Sequence, residues 1–96
     1  MTNVLISNNC IIINLEKIQE DIFSDADKQT IVFLANYLVG LNINETERTI
    51  TLFLSIKGMY SYYIDFDRGG VDLDIAQRNF DLAKSSLGNL LLSKVV

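Results

Sequence analysis

The strongest fold signal in the chain lies at residues 48–66, which read RTITLFLSIKGMYSYYIDF. Apolar and polar residues alternate in both halves of this stretch, and a period of two is typical of strands with one buried face. The connecting loop must then have an odd length, because an even one would put the apolar side chains of the two strands on opposite faces. A three-residue loop at 57–59 satisfies this condition. It predicts a hairpin in which Phe53 lies opposite Tyr63.

A further hairpin is predicted at residues 3–15, where Asn8 and Asn9 separate two runs rich in β-branched residues. Asparagine tolerates left-handed backbone dihedrals, so this pair suits a two-residue turn. The resulting register places Leu5 opposite Ile12. Both faces of the hairpin are then partly apolar, which favours cover on both sides.

Apolar residues at helical spacing predict two helices. The main part of the first is expected at about residues 25–40, with Ser24 as a candidate N-cap and a short helical turn before it. Whether residues 16–41 form one bent helix or two stays open. The second helix is expected over residues 72–92.

These elements predict a single α+β domain over residues 1–96, with the order ββαββα. The two hairpins would form a four-stranded antiparallel sheet, and two helices would pack on one face of it. Asn44 and Glu47 also resemble a capping box for a helix that starts near residue 45. We rank that helix below the strand, because β-branched and aromatic residues dominate the alternating stretch at 49–66.

Composition narrows the function classes. The chain has 96 residues, of which 49% are hydrophobic and 21% charged, with a net charge of −4. It has no His and one Cys, which excludes His-dependent catalysis, His-ligated metals and an internal disulfide. We expect no catalytic residue, cofactor or metal, and we interpret Cys10 as a small apolar strand residue. The longest apolar runs have about five residues, far short of the ~20 of a membrane span. A cytoplasmic protein is therefore expected.

Charge concentrates in two acidic stretches. Residues 16–28 hold five acidic and two basic residues, and residues 65–74 hold four acidic and one basic, so each has a net charge of −3. Helix capping explains part of this pattern, since Asp is favoured where a helix begins. The acidic balance argues against direct nucleic-acid binding, and it suits a basic, nucleic-acid-binding protein as a candidate partner. The candidate contact carboxylates are Glu16, Glu20, Asp21, Asp65 and Asp67.

The second acidic stretch also resembles a calcium-binding loop. The match fails at Gly69, where a ligand is expected, and at Ala76, where a bidentate Glu is required. We interpret the segment as a strand-to-helix turn in which Asp72 and Asp74 complement the helix N-terminus.

Large apolar residues beyond the needs of a core point to a contact surface. Phe53 and Tyr63 are predicted on the non-core face of their hairpin, with Met59 in the adjacent loop, and such residues are enriched in interfaces. Ordinary cross-strand stabilisation is the competing interpretation. The sequence predicts a non-enzymatic protein-binding module of the inhibitor, immunity or phage anti-defence type. The alternative is a self-associating structural or accessory protein that forms a homodimer through a sheet face or edge, with Leu5 and Ile12 in the interface.

Overall fold

The computed structural model describes residues 2–16, 28–67 and 72–94. Within them the chain forms two three-stranded antiparallel sheets and one α-helix. The first sheet has the strand order β1-β2-β3 and the second has the order β4-β5-β6. The bounds are Asn3–Ser7 for β1, Cys10–Glu16 for β2, Lys28–Leu34 for β3, Leu38–Asn44 for β4, Thr49–Leu54 for β5, Tyr60–Asp65 for β6 and Leu73–Leu92 for α1. A 3₁₀ turn at Ala35–Tyr37 joins the two sheets.

The predicted four-stranded sheet with two helices is therefore wrong, and the error lies in the helix predicted at residues 25–40. From residue 28 onward this segment is β3, the 3₁₀ turn and the start of β4. Strand β3 is apolar on both faces, with Ile31 and Phe33 packed against the core and Val32 and Leu34 exposed. A strand with two apolar faces loses its period-two pattern, so its apolar positions also fit a helical spacing. Residues 17–27, which include the proposed cap and first helical turn, lie outside the described residues.

The first hairpin is confirmed residue by residue. Asn8 and Asn9 have φ values of 53° and 62°, as a two-residue turn between twisted strands requires. Leu5 pairs with Ile12, in the register that the sequence predicts.

The second predicted hairpin is correct in parity and wrong in loop length. The loop has five residues, 55–59, so Leu54 pairs with Tyr60, Phe53 with Ser61 and Thr51 with Tyr63. The register has moved by two residues, which keeps the same side chains on the buried face.

The preference for strand after residue 44 is also confirmed, since β5 begins at Thr49. The Asn44 side chain caps a turn instead of a helix. Its Oδ1 accepts a hydrogen bond from the Glu47 N–H at 3.0 Å, and this turn leads from β4 into β5.

Helix α1 is confirmed where the sequence places it. Asp72 caps its N-terminus, with Oδ1 accepting a hydrogen bond from the Asp74 N–H at 2.8 Å. The helix packs against β1 and β4, one strand from each sheet. Its buried residues are Ala76, Phe80, Ala83 and Leu87.

One hydrophobic core is shared by both sheets and the helix. The Phe33 ring of β3 lies 5.5 Å from the Tyr62 ring and 6.3 Å from the Tyr60 ring, centroid to centroid, so β3 and β6 face each other across the core. On the helix side, Phe66 meets Phe80 edge to face at 5.7 Å. Burial raises the pKa of Tyr62 above its usual value. The aromatic contacts fix how the sheets are stacked.

The crossover between the sheets is held from two directions. The Ala35 N–H donates to the Asn9 carbonyl at 2.7 Å, which ties the crossover to the first hairpin turn. The Lys94 ammonium, just beyond α1, donates to the carbonyls of Ala35 and Leu38, the latter at 3.1 Å. Burial lowers the pKa of Lys94, because the partly dehydrated ammonium is disfavoured.

The first hairpin turn provides a test of the fold. Asn9→Ala should lower the free energy of unfolding by about 1 kcal/mol, because a left-handed φ strains residues that have a Cβ and lack a short polar side chain. Asn9→Gly should cause no loss. Asn36→Ala is the matched control, since Asn36 is an exposed residue of the 3₁₀ turn without a left-handed φ. Urea denaturation measures all three, and equal losses for Asn9→Ala and Asn36→Ala would contradict the turn geometry.

The crossover provides a second test. Lys94→Met keeps most of the apolar stem but removes the donors to two carbonyls, and it should destabilise the protein by about 1 kcal/mol. Lys57→Met, in the exposed loop before β6, is the control. Thermal unfolding at neutral pH compares the two variants. A loss no larger than that of the control would show that Lys94 does not hold the crossover.

Candidate functional site

The outer face of the first sheet is apolar along its centre and largely exposed. Leu5, Ile12 and Val32 lie side by side across its three strands, and Leu5 and Val32 are each 55% exposed. Leu34, one position along the same face of β3, is 51% exposed. Contiguous exposed apolar residues of this kind mark contact surfaces more often than scattered single ones do.

Nine residues make up this outer face between the hairpin turn and the far end of β1. They are Asn3, Leu5, Ser7, Cys10, Ile12, Asn14, Thr30, Val32 and Leu34. None of them is charged. Beyond them, β2 and β3 continue to a pairing of one acidic with one basic residue, Glu16 with Lys28. We call these nine residues the outer face.

A row of neutral hydrogen-bonding side chains borders the apolar row. The Asn14 Nδ2 donates to Asn3 Oδ1 at 2.9 Å, and the Thr30 hydroxyl donates to Asn14 Oδ1 at 3.1 Å. These bonds link the three side chains across the three strands. An apolar centre with a neutral polar border has the composition of a protein–protein contact.

The outer face of the second sheet carries the aromatic residues that the sequence predicts as a contact surface. The structure places Phe53 and Tyr63 on one face but at diagonal positions, since they pair with Ser61 and Thr51. The predicted direct opposition of the two rings is therefore wrong. Tyr63 is 60% exposed and Met59, in the adjoining loop, is 70% exposed.

Phe53 is half-buried, and its own sheet explains why. A Cβ built on Gly40 of β4 would lie 3.5 Å from the Phe53 ring, so the ring covers the position where Gly40 has no side chain. Phe53 therefore stabilises the second sheet, and Tyr63 and Met59 are the exposed part of this surface.

Two carboxylates of the second acidic stretch, Asp65 and Asp67, are hydrogen-bonded within the protein. Arg48 donates to both oxygens of Asp67, from Nε at 2.7 Å and from Nη2 at 3.0 Å. The hydrogen bond to Asp67 raises the pKa of Arg48. The Asp65 Oδ1 accepts a hydrogen bond from the Asp67 N–H at 3.0 Å. Asp67 is therefore neutralised by its partner, which weakens its attraction to a basic protein.

The same ion pair continues into a network along α1. The Arg48 Nη1 lies 3.4 Å from Gln77 Oε1, and Gln77 donates to Asp81 at 3.0 Å. Lys84 bonds Glu45 at 2.7 Å, and this hydrogen bond raises the pKa of Lys84. The network joins the β4–β5 turn, the end of β6 and one side of the helix, so its role is structural.

Most of the first acidic stretch lies outside the described residues. Glu20 and Asp21 lie outside the described residues, and Glu16 is the last residue of β2. Among the residues that the structure describes, no group of three or more Asp, Glu or Cys residues is arranged to hold a metal ion.

Val32 and Leu34 are contact candidates that the sequence did not predict. Both residues fall within the helix predicted at 25–40. In the strand that the structure shows, they alternate with the core residues Ile31 and Phe33 and lie on an exposed apolar face. The β-branched and aromatic content of residues 30–33 is the signal that favours the strand.

Comparison with known proteins identifies no relative, since no family model, curated protein or solved structure matches the chain. In the described part of the chain, no helix combines the length and apolar character needed to cross a membrane.

The Arg48–Asp67 pair supports a prediction about stability. Arg48→Met should lower the melting temperature at low salt, because it removes the donors that join the β4–β5 turn to the end of β6. The deficit should shrink as salt screens the remaining carboxylates from one another. Arg78→Met, on an exposed position of α1, is the control. Equal melting temperatures for both variants at low salt would show that the network adds nothing.

Proposed function

We propose that this protein is a non-enzymatic protein-binding module that contacts its partner through the outer face of the first sheet. The observation that carries the proposal is the apolar row of Leu5, Ile12 and Val32, continued by Leu34. Burying such residues against a partner is favourable in proportion to the apolar area removed from water.

The neutral character of the outer face favours protein over nucleic acid as the partner. A nucleic-acid surface needs clustered Lys and Arg to replace counterions, and none of the nine residues of the outer face is basic. Lys28, beyond them, is a single basic residue that pairs with an acidic one. The net charge of −4 adds a repulsion for phosphate over the whole chain.

The arrangement of charged groups supports a non-enzymatic role. Arg48 and Lys84, whose pKa values are raised by carboxylate partners, lie in the network that joins turn, strand and helix. A catalytic site brings such groups together in a cleft, around the position of a substrate. Occupation of a partner's surface is also how inhibitors, immunity proteins and anti-defence proteins act, and we propose this class.

A second candidate surface is the exposed part of the second sheet, Tyr63 with Met59. Aromatic and Met side chains there suit a partner with an apolar groove, and the nearby Asp65 favours a basic border on that partner. We rank this surface second because the Phe53 ring packs over Gly40 and the Asp67 carboxylate is bound by Arg48.

The two surfaces are separated by paired variants. Leu5→Thr with Val32→Thr removes apolar area but keeps strand propensity, and it should weaken partner binding about tenfold or more. Tyr63→Thr with Met59→Thr is the matched control on the second sheet and should leave binding unchanged. Affinity capture from a lysate of the source cells, followed by titration of the captured partner, measures both.

The reverse result would move the contact to the second sheet and contradict the proposal. Binding that neither pair weakens would place the contact on another part of the chain. Circular dichroism of each variant must match that of the unmodified protein, so that lost binding is not lost folding.

A further inference from the structure

Strand β3 is a sheet edge with little of the usual protection. In the described residues its strand neighbour is β2, and after its first residue, Lys28, the strand continues over 29–34 without a charge. Exposed edges are normally guarded by charges, bulges or covering elements. Two of the other edge strands show such protection, since α1 packs against β1 and β4 has a register shift at Leu38/Gly40.

The hairpin turn determines which backbone groups of β3 face outward. Ser7 and Cys10 flank a two-residue turn, so their backbones exchange hydrogen bonds. Hydrogen-bonded pairs alternate with non-hydrogen-bonded pairs along an antiparallel ladder, so the even-numbered residues of β2 bond toward β1. The odd-numbered residues of β2 therefore bond toward β3. The hydrogen bond from the Ala35 N–H to the Asn9 carbonyl agrees with this pattern, since it also joins two odd-numbered residues.

It follows that Ile31 and Phe33 bond to β2 through their backbone. The N–H and C=O groups of Thr30 and Val32 point to the open edge of β3, as does the N–H of Leu34. The Leu34 C=O belongs to the N-cap of the 3₁₀ turn and accepts the first hydrogen bond of that turn. The side chains of these same three residues lie on the outer face and are exposed.

We propose that β3 pairs in antiparallel register with β3 of a second copy, about a two-fold axis at Val32. Val32 then pairs with Val32 of the second copy, and Thr30 pairs with its Leu34. The Val32 pair exchanges two backbone hydrogen bonds, and in each Thr30–Leu34 pair the Leu34 N–H donates to the Thr30 C=O, because the outward groups of one copy meet those of the other. The pairing uses the edge of β3 and not the outer face, so it goes beyond the proposed function.

The lack of charge over residues 29–34 allows a second copy to occupy the edge. Two chains of net charge −4 repel each other, so self-association requires a contact that brings no like charges together. Residues 29–34 are neutral and satisfy this requirement. The three outward residues are also spaced symmetrically about Val32, which an isologous contact demands.

The pairing enlarges the binding surface of the proposed function. Three strands of about five residues cover roughly 15 by 17 Å, an area of about 250 Å². This area is small beside the ~800 Å² that each partner buries in a standard interface. The paired sheet has six strands and an unbroken apolar row, in which Leu5, Ile12 and Val32 are followed by the same residues of the second copy in reverse order.

A proline at the two-fold axis tests the pairing. Val32→Pro removes the outward N–H, which has no role in pairing with β2, and proline is tolerated at such edge positions. Sedimentation velocity of the full chain at high micromolar concentration should show a dimer. Val32→Pro should raise the dimer dissociation constant about a hundredfold. Val32→Thr retains the N–H and should remain dimeric.

Lysine variants separate an edge contact from stacking of the outer faces. Val32→Lys places two like charges together at the axis and should give monomers, whereas Leu5→Lys puts the same charge on the outer face, two strands from the edge, and should leave the dimer intact. This pair also serves if Val32→Pro does not fold. A monomeric unmodified protein, or a dimer that survives both Val32→Pro and Val32→Lys, would overturn the pairing. Dissociation by Leu5→Lys would overturn it in favour of face stacking.

The pairing of β3 and the proposed function can fail separately in these experiments. A monomer that still loses its partner with Leu5→Thr and Val32→Thr leaves the outer face as the contact surface. A dimer that binds no other protein leaves only the pairing.

Discussion

The chain passes from the first sheet to the second at Ala35–Tyr37, and the position of every other element depends on this crossover. A 3₁₀ turn this short has few backbone hydrogen bonds of its own, so its direction must be fixed from outside. The Asn9 carbonyl and the Lys94 ammonium do this from opposite ends of the chain. Once the crossover is set, β3 and β6 meet through Phe33, and the helix packs on β1 and β4 to complete the shared core.

The features that were predictable from sequence are those set by local geometry. Asn8-Asn9 separates two β-branched runs, and the register follows from the turn alone. In residues 48–66 the alternation determines which side chains are buried, but it allows any odd loop length. The shift from a three-residue to a five-residue loop therefore could not be detected from parity. Helix α1 was predictable because its polar face, its apolar stripe and the Asp72 cap all indicate the same element.

The failure at residues 28–38 has a different cause. Strands with one buried face are recognisable by alternation, and β3 lacks it because Val32 and Leu34 are as apolar as Ile31 and Phe33. The same property that hid the strand makes its outer face a contact candidate. The sequence indicated half of this surface, Leu5 and Ile12, from the surplus of apolar residues in the first hairpin. It could not indicate Val32 and Leu34, because their place beside Ile12 depends on the non-local pairing of β2 with β3.

Charge placement connects the fold to the proposed surfaces. Asp67 bonds Arg48, Asp72 caps α1, and Glu45 bonds Lys84, so many described charges are used where strands, turns and the helix meet. These charges join the second sheet to the helix and lie away from the edge of β3 in the first sheet. An acidic protein could have guarded the middle of β3 at little cost in stability, since a charge at an exposed position such as Val32 disturbs no core contact. The edge is neutral over residues 29–34 and lies beside a neutral apolar face, in a chain of net charge −4. The contacts that we propose would cover both surfaces, which accounts for the lack of charge there.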